Sequence, residues 1–320
     1  MQEEIRFATF NVCNLAHPGR RLYDNLDPYT AEQVEAKIAW TARQLDLIDA
    51  DIIGFQEIFS QSALQEALSR TTRFRDAFHV GFDPDPALDK LTPSVALVSR
   101  LPLAEPGRSY AQFPPGVALP HGARDADRFA RPVVHAVVQA TPSVKIDVVV
   151  VHLKSKRPDF QARSTDPTVG EDTQEYAQAC LRSLVRRGTE AVALRVLLSN
   201  LRREYHRPRV VLGDFNDTAD AVTTDIVLGS GAPQGDRFYD AFRLQPQAAR
   251  NAAADFSMLH EGQFSTIDHI LLSEEFNPVL AGTPKVGEVV EVRYFNEHLS
   301  AAVPEASDHG QVLARIRLFS

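Results

Sequence analysis

The sequence predicts an α/β chain in which two packed β-sheets are flanked by helices. Apolar runs of strand length recur from Ile5 to Leu318; some follow one another directly and others are separated by helical stretches. The 320 residues are 44% hydrophobic, enough to bury a large core. No internal repeat, low-complexity tract or Pro/Gly/Ser-rich linker interrupts them, so residues 1–320 read as a single domain.

Ile5 to Phe10 alternates apolar and polar residues, a first strand ending in Asn11-Val12-Cys13-Asn14. Val34, Ile38, Leu45 and Ile48 recur at helical offsets and mark an amphipathic helix. Asp51 to Phe55 is a strand ending at Gln56-Glu57, and Ala63 to Leu68 a short helix. Ser94 to Ser99 is a strand closed by Arg100-Leu101-Pro102. From Glu105 to about Arg131, Pro106, Pro114, Pro115 and Pro120 predict a loop without regular structure. Val133–Gln139 and Lys145–Val151 form a hairpin around Thr141-Pro142-Ser143, and the second strand runs into His152. A polar loop extends to Thr173, followed by a long helix from Gln174 to Tyr205. Arg209 to Gly213 is a buried strand, and Thr218 to Gln263 reads as mixed helix and loop. Ile267–Leu272, Val286–Arg293 and Gln311–Leu318 supply three more strands.

The formal net charge of −8 gives no global attraction to nucleic acid, although a local basic strip or bound cations would suffice. Two cysteines, Cys13 and Cys180, build neither a disulfide framework nor a zinc-finger spacing. The start, Met1-Gln2-Glu3-Glu4, is acidic, with no signal peptide, and no apolar run approaches membrane-spanning length. A soluble, cytoplasmic protein without membrane insertion follows, unless a leader has been removed. No protein partner can be inferred.

Polar groups sit at the ends of one apolar strand after another. The clearest case is Val210-Val211-Leu212-Gly213-Asp214-Phe215-Asn216-Asp217, where a rigid strand is followed by a carboxylate, an amide and a second carboxylate. If the extended conformation continues, Asp214 and Asn216 point to one side. A charged and a neutral oxygen together suit a hard cation and a phosphate; the same residues are also ordinary Asx-turn chemistry. Asn11, Glu57 and His152 follow strands in the same way, and Asp268 and Asp308-His309 precede them. Singly, a Glu such as Glu57 is usually a solvated loop residue, a His such as His152 is more often a satisfied surface or core histidine, and Asp308-His309 also reads as a capping turn; together they form a site if their strands share a sheet edge.

The order and local wording of these segments resemble the deoxyribonuclease I-like endonuclease/exonuclease/phosphatase superfamily. The matching pieces are Thr9-Phe10-Asn11-Val12, Ile53-Gly54-Phe55-Gln56-Glu57, Ser99-Arg100-Leu101-Pro102, Val151-His152-Leu153-Lys154-Ser155, Gly213-Asp214-Phe215-Asn216, Ile267-Asp268-His269-Ile270 and Ser307-Asp308-His309. They run in the family's order across nearly the whole chain. The resemblance implies a four-layered α/β-sandwich with two mostly antiparallel sheets, a site at one edge of them, and metal-dependent phosphoester hydrolysis.

In that light Glu57, Asn11 and Asp308 are the expected ligands of Mg²⁺ or Mn²⁺, an ion held by few carboxylates and several waters. His309 is the expected acid–base group or stabiliser of the pentavalent phosphorus, oriented by Asp268. Asp214 is expected to orient or deprotonate water, Asn216 to donate to a non-bridging oxygen, and His152 to bind phosphate or assist the leaving group. Lys154, Lys156 and Arg157 either hold substrate phosphates or form a solvated basic loop. Arg182, Arg186, Arg187, Arg195, Arg202 and Arg203 on the long helix read as a solvated face with Glu partners rather than a nucleic-acid groove. Cys13 stands where relatives carry an acidic residue, which argues against a second metal; it reads as a buried small residue, not a nucleophile. The expected activity is nuclease-like hydrolysis of phosphodiesters, in DNA or RNA. Alternatives are inositol phosphates, phospholipid or sphingomyelin headgroups or small nucleotides, or a silent binding protein on the same scaffold. Specificity is expected in loops 105–131, 158–173 and 218–263.

Overall fold

A computed structural model describes residues 3–319 apart from residues 24, 84–90, 120–126, 161–171, 232–234, 252–253 and 302. Pro120 and most of the 158–173 loop lie outside the described residues, as do parts of 105–131 and 218–263.

The elements run β1 (Glu4–Leu15), α1 (Ala31–Ile48), β2 (Ile52–Ile58), α2 (Gln61–Ser69), β3 (Phe78–Gly81), β4 (Ser94–Ser99), β5 (Arg108–Gln112), β6 (Arg128–Gln139) and β7 (Lys145–His152). They continue with α3 (Thr173–Tyr205), β8 (Arg209–Asp214), α4 (Val222–Leu228), β9 (Phe238–Asp240), α5 (Ala241–Leu244), β10 (Met258–His260), β11 (Gln263–Ser265), β12 (Asp268–Ser273), β13 (Gly287–Phe295) and β14 (Gln311–Leu318). Two six-stranded sheets have the orders β13-β14-β1-β2-β4-β3 and β5-β6-β7-β8-β12-β9; β10 and β11 make a separate hairpin. Each large sheet is antiparallel except at its centre, where β1 pairs with β2 and β7 with β8 in parallel.

Three apolar layers define the sandwich. Phe7, Ile52 and Leu97 of one sheet meet Val148, Val150 and Leu212 of the other. The outer face of the first sheet packs on α1 and α2 through Phe10, Phe55, Ile38 and Leu64. The outer face of the second packs on α3 and α4 through Val149, Val211, Leu194 and Val227. The order of layers is therefore helix, sheet, sheet, helix. Gly54 sits where the sheets approach closely, since a Cβ there would lie 2.8 Å from Leu212 Cβ.

Local chemistry sets the helix ends. Thr30 and Gln33 form a capping box at the start of α1, and Asp49 closes the helix in the left-handed region. Asp172 caps α3 by accepting from the N–H groups of Gln174 and Glu175. Among the described residues no helix is long and apolar enough to cross a membrane.

The loop expected over 105–131 is in part a strand. β5 pairs with β6, and the register shifts between Tyr110 and Gln112, close to Pro132 of β6. The prolines lie outside β5, and Pro132 falls beside the irregularity, where a missing N–H is tolerated. β3 and β9 are short edge strands with little apolar periodicity.

The topology explains why the polar strand ends converge. In a parallel pair both C-terminal ends lie at one sheet edge: Asn11 stands opposite Gln56, and His152 opposite Asp214. The antiparallel neighbours begin where those strands end, so Asp268, at the start of β12, also stands opposite Asp214.

Candidate active site

Asp214 is the centre of the constellation. The strand does not continue past it: Asn216 adopts φ 53°, so the chain turns back. Asp214 Oδ1 accepts from the Asn216 N–H at 2.7 Å, an Asx-type turn, and Oδ2 accepts from Asn216 Nδ2 at 3.2 Å. Asn11 Nδ2 reaches the same Oδ2 from the other sheet at 3.1 Å, and His152 Nε2 lies 3.4 Å from it. The turn and the site are thus one structure. Asp214 is 1% exposed. Burial, reinforced by the nearby Asp268 carboxylate, raises its pKa to about 7.

The two histidines are driven in opposite directions. His309 Nδ1 lies 2.7 Å from Asp268 Oδ2, while Nε2 faces Asn11 Nδ2 at 3.5 Å and Asp214 Oδ2 at 3.9 Å. Burial alone would lower its pKa, but the Asp268, Asp214 and Asp308 carboxylates hold it well above the ordinary histidine value. His152 is held well below that value by burial and by the charges of Arg131, His309 and Lys154. Its Nδ1 is buried without a partner. The two imidazoles near the same carboxylate are thus biased in opposite directions, His309 toward its charged form and His152 toward its neutral form.

Beside this core lies a group of oxygen donors. Glu57 adopts φ 62° where the β2 ladder is irregular, and its Oε2 accepts from the Asn14 N–H at 3.2 Å. Burial raises its pKa; Asp308 adds to the rise and His309 opposes it. Asp308 keeps access to solvent, and its pKa is lowered: desolvation by the surrounding protein works against the charge, but His309 and a hydrogen bond with Cys13 prevail. Asn11 Oδ1 accepts from the Cys13 N–H at 3.0 Å, leaving one lone pair, and the buried Asn14 Oδ1 has no partner. Two carboxylates with under-used amide oxygens fit a hard divalent cation. Asp214, Asp268 and His309 also bring donor atoms within 4.8 Å of one another. A cation among those three would compete with the 2.7 Å Asp268–His309 bond, so the Glu57–Asp308 side is the better fit.

Cys13 is half-buried with φ 54°, and burial followed by the Asp308 charge pushes its thiol up, away from a nucleophilic thiolate. Lys37 of α1, which sequence reasoning passed over, is 7% exposed and donates to the Glu305 carbonyl at 3.4 Å. Its charge acts on Cys13 and Asp308. Lysines are seldom buried so deeply without opposite charge nearby.

The basic loop is largely engaged with the protein itself. Lys154 Nζ turns back to the carbonyls of Ser155 and Arg157, at 3.3 and 3.1 Å. Lys156 Nζ pairs with Asp217 Oδ1 at 2.9 Å, and Arg157 lies over the Tyr23 ring. All three still line a cavity of about 1040 Å³ whose floor holds Asp214 and His309. Arg131 lines it too; its Nη1 donates to the Leu153 carbonyl at 3.4 Å and its Nε is buried without a partner. Its only signal in the sequence is a cation entering an apolar strand beside a proline. Phe264, 62% exposed, forms part of the opposite wall on the β10–β11 hairpin.

Only part of the α3 arginine set matches a solvated face with Glu partners: Arg203 is exposed, whereas others are held by loops. Arg187 is buried and pairs with Asp217 at 3.2 Å; Arg195 pairs with Asp236 at 2.6 Å. Arg186 pairs with Glu190, and Arg182 donates to the Asp159 carbonyl. Arg187, Arg195 and Arg182 thus fasten loops to the helix, while Arg186 keeps the expected glutamate partner one turn away. Ser99-Arg100-Leu101-Pro102 is likewise structural, with Arg100 bound to Asp49 and Asp51.

The fold is that of several solved proteins. The human Nocturnin catalytic domain superposes with TM-score 0.61 at 14% identity, over 100% of this chain and 96% of that one. A humanized D. rerio TDP2 gives 0.59 at 16%, over 98% and 99%. A mannosyl-6-phosphatase from Bacteroides thetaiotaomicron gives 0.58 at 16%, over 99% and 100%. A search of curated protein sequences found no match. The profile of the endonuclease/exonuclease/phosphatase family, whose members hydrolyse phosphoester bonds, matches residues 8–309. Spanning nearly the whole chain, that match shows that the protein belongs to the endonuclease/exonuclease/phosphatase family.

Proposed function

We propose that this protein is a divalent-metal-dependent phosphodiesterase of nuclease-like action, with residues 1–320 as one catalytic domain. One observation carries the reading: His309, paired with Asp268, faces Asp214 on the floor of a cavity beside the oxygen donors Glu57, Asp308 and Asn11. Those donors would hold Mg²⁺ or Mn²⁺, which when bound neutralises phosphate charge and stabilises the leaving oxygen.

The remaining work falls to the chain's own groups. Asp214, with its raised pKa, accepts the proton of the attacking water near neutral pH. His309 carries positive charge toward the developing charge on the phosphate, and Asp268 fixes its ring. Arg131 and His152 line the cavity and donate hydrogen bonds to phosphate oxygens. Asn216 Nδ2 is committed to the Leu153 carbonyl and to Asp214, so its part is to hold Asp214 rather than to touch phosphate. Lys154 shapes the loop, while Lys156 and Arg157 reach substrate by exchanging their present partners.

A second reading, a phosphomonoesterase or phosphodiesterase acting on small substrates, draws support from the cavity volume, which suits one small ligand, and from the net charge of −8. One panel separates the two: bis-p-nitrophenyl phosphate, single-stranded DNA and RNA, plasmid, sugar and inositol phosphates and sphingomyelin, each with Mg²⁺, Mn²⁺ or EDTA. Metal-dependent cleavage that is lost in His309→Ala and Asp214→Asn supports the enzyme reading, and the preferred substrate chooses between the two. Full activity in either folded variant would overturn the role assignments.

A further inference from the structure

Ser257 belongs to none of the family-like motifs, yet it is fully buried behind the Asp268–His309 pair. Its hydroxyl donates to Asp268 Oδ2 at 2.7 Å and accepts from the N–H groups of Ile267 and Asp268, at 3.1 and 3.2 Å. Its own N–H donates to the Ser265 carbonyl, and its carbonyl accepts from Gly310 N at 2.7 Å. One residue thus joins the start of β12, the turn that carries His309 and the root of the β10–β11 hairpin.

The arrangement around the Asp268 carboxylate is asymmetric. Oδ2 takes two donors at 2.7 Å, the Ser257 hydroxyl and His309 Nδ1, whereas Oδ1 is buried with none. A carboxylate held by His309 alone could rotate about its Cβ–Cγ bond and offer either oxygen. The hydroxyl removes that freedom, because its two backbone donors fix its oxygen and leave its single proton directed at Oδ2. The next residue, Met258, bridges to His309 and lines the cavity, and Phe264 stands on the partner strand of the same hairpin. Register along the hairpin and orientation of the pair therefore depend on the same side chain.

We infer that Ser257 is a positioning residue: it locks the Asp268 carboxylate, and through it the His309 ring, while tying the substrate-facing hairpin to that pair. The inference rests on the catalytic reading of Asp268 and His309 given above.

The test uses the full chain with Mn²⁺ and the best substrate of the panel. Ser257→Ala is expected to lower kcat by roughly 10- to 100-fold, the size of a lost hydrogen bond to a charged group, with KM within about twofold. Ser257→Thr retains the hydroxyl and is expected to keep kcat within about threefold. Alanine leaves two backbone N–H groups unpaired and can impair folding. Ser257→Cys keeps the volume but offers only a weak donor, and its expected kcat lies between those of the other two variants. A readout apart from turnover is the low-field proton resonance of the His309 ring N–H, expected to be retained in the threonine variant and displaced in the alanine and cysteine variants. Wild-type kcat in a folded alanine or cysteine variant, or an unmoved resonance, overturns the inference. His309→Ala run alongside separates the two levels: if it stays active, the catalytic reading itself falls, and if it alone is inactive, only the role of Ser257 falls.

Discussion

Replacing Asp268 by asparagine tests the centre of the site with the smallest change in shape. Asp268 and His309 are both buried, and the 2.7 Å contact between them is a hydrogen bond to a charged acceptor. Such a bond contributes about 1.5–3 kcal/mol, or roughly 10- to 150-fold in rate if it acts only in the transition state. The amide can also present its NH₂ to Nδ1, which leaves the ring neutral with its proton on Nε2 and removes the charge proposed to face the phosphate, for a combined effect of about 10²–10⁴-fold. The expected fall in kcat is therefore roughly 10²- to 10⁴-fold, with KM changed by no more than a few-fold. Steady-state kinetics with Mn²⁺, beside circular dichroism to confirm folding, measures it; a folded variant within threefold of wild type refutes the reasoning. The same substitution changes the pH dependence of stability. Burial would lower the His309 pKa, but Asp268 leads the carboxylates that raise it, so the folded value lies above the unfolded one. Stability from that shift is fully present below the unfolded value of about 6.5 and is lost as pH rises through the folded value. Denaturant melts in EDTA should show the largest gap between wild type and Asp268→Asn near about pH 6, narrowing on the alkaline side. A gap that widens with pH contradicts the assignment.

Glu57→Gln should weaken Mn²⁺ binding by about tenfold or more in calorimetry, since an amide replaces a charged ligand; wild type should titrate with a single ion. An unchanged affinity would remove Glu57 from the ligand set. Arg131→Ala should raise KM for an anionic substrate by about tenfold, the loss of one charge-assisted contact, and an unaltered KM would exclude Arg131 from substrate binding. Gly213→Ala places a Cβ 2.4 Å from the Val151 carbonyl oxygen, so β7 and β8 must separate beside His152 and Asp214. A loss of about 1–3 kcal/mol, several degrees in Tm, is expected, and an unshifted melt would show that the strands can yield there.

Periodicity and end signals alone placed the long elements. β4 and β14 occupy the spans read from their apolar runs, α3 begins one residue earlier than its pattern, and Val34, Ile38, Leu45 and Ile48 all face the core. β3, β5 and β9 were not legible, because strands of three to five residues at sheet edges are held by neighbours rather than by their own pattern. The strand ends also carried the polar groups that the structure brings together, from Asn11 to His309. Sequence could list them because each follows or precedes a recognisable buried strand.

Only the tertiary structure decided how they meet. Two parallel pairs at the sheet centres put Asn11, His152 and Asp214 at one edge, and a glycine lets the sheets come close enough for Asn11 to reach Asp214. Positive φ at Asn216 replaced the conditional extension past Asp214 with a turn, and positive φ at Glu57 bends the chain where the strand was read to end. Lys156 found Asp217, and Arg187 and Arg195 found loop acids, which no helical spacing foretells. Ser257, Arg131 and Lys37 lie 11, 21 and 20 residues from the nearest motif residue that shares their surroundings, Asp268, His152 and Glu57. Period and propensity act over a few neighbouring residues, whereas burial, charge pairing and hydrogen bonding depend on separations in space; the sequence therefore determined the layers and the chemistry at their edge, and packing determined which partner each group acquired.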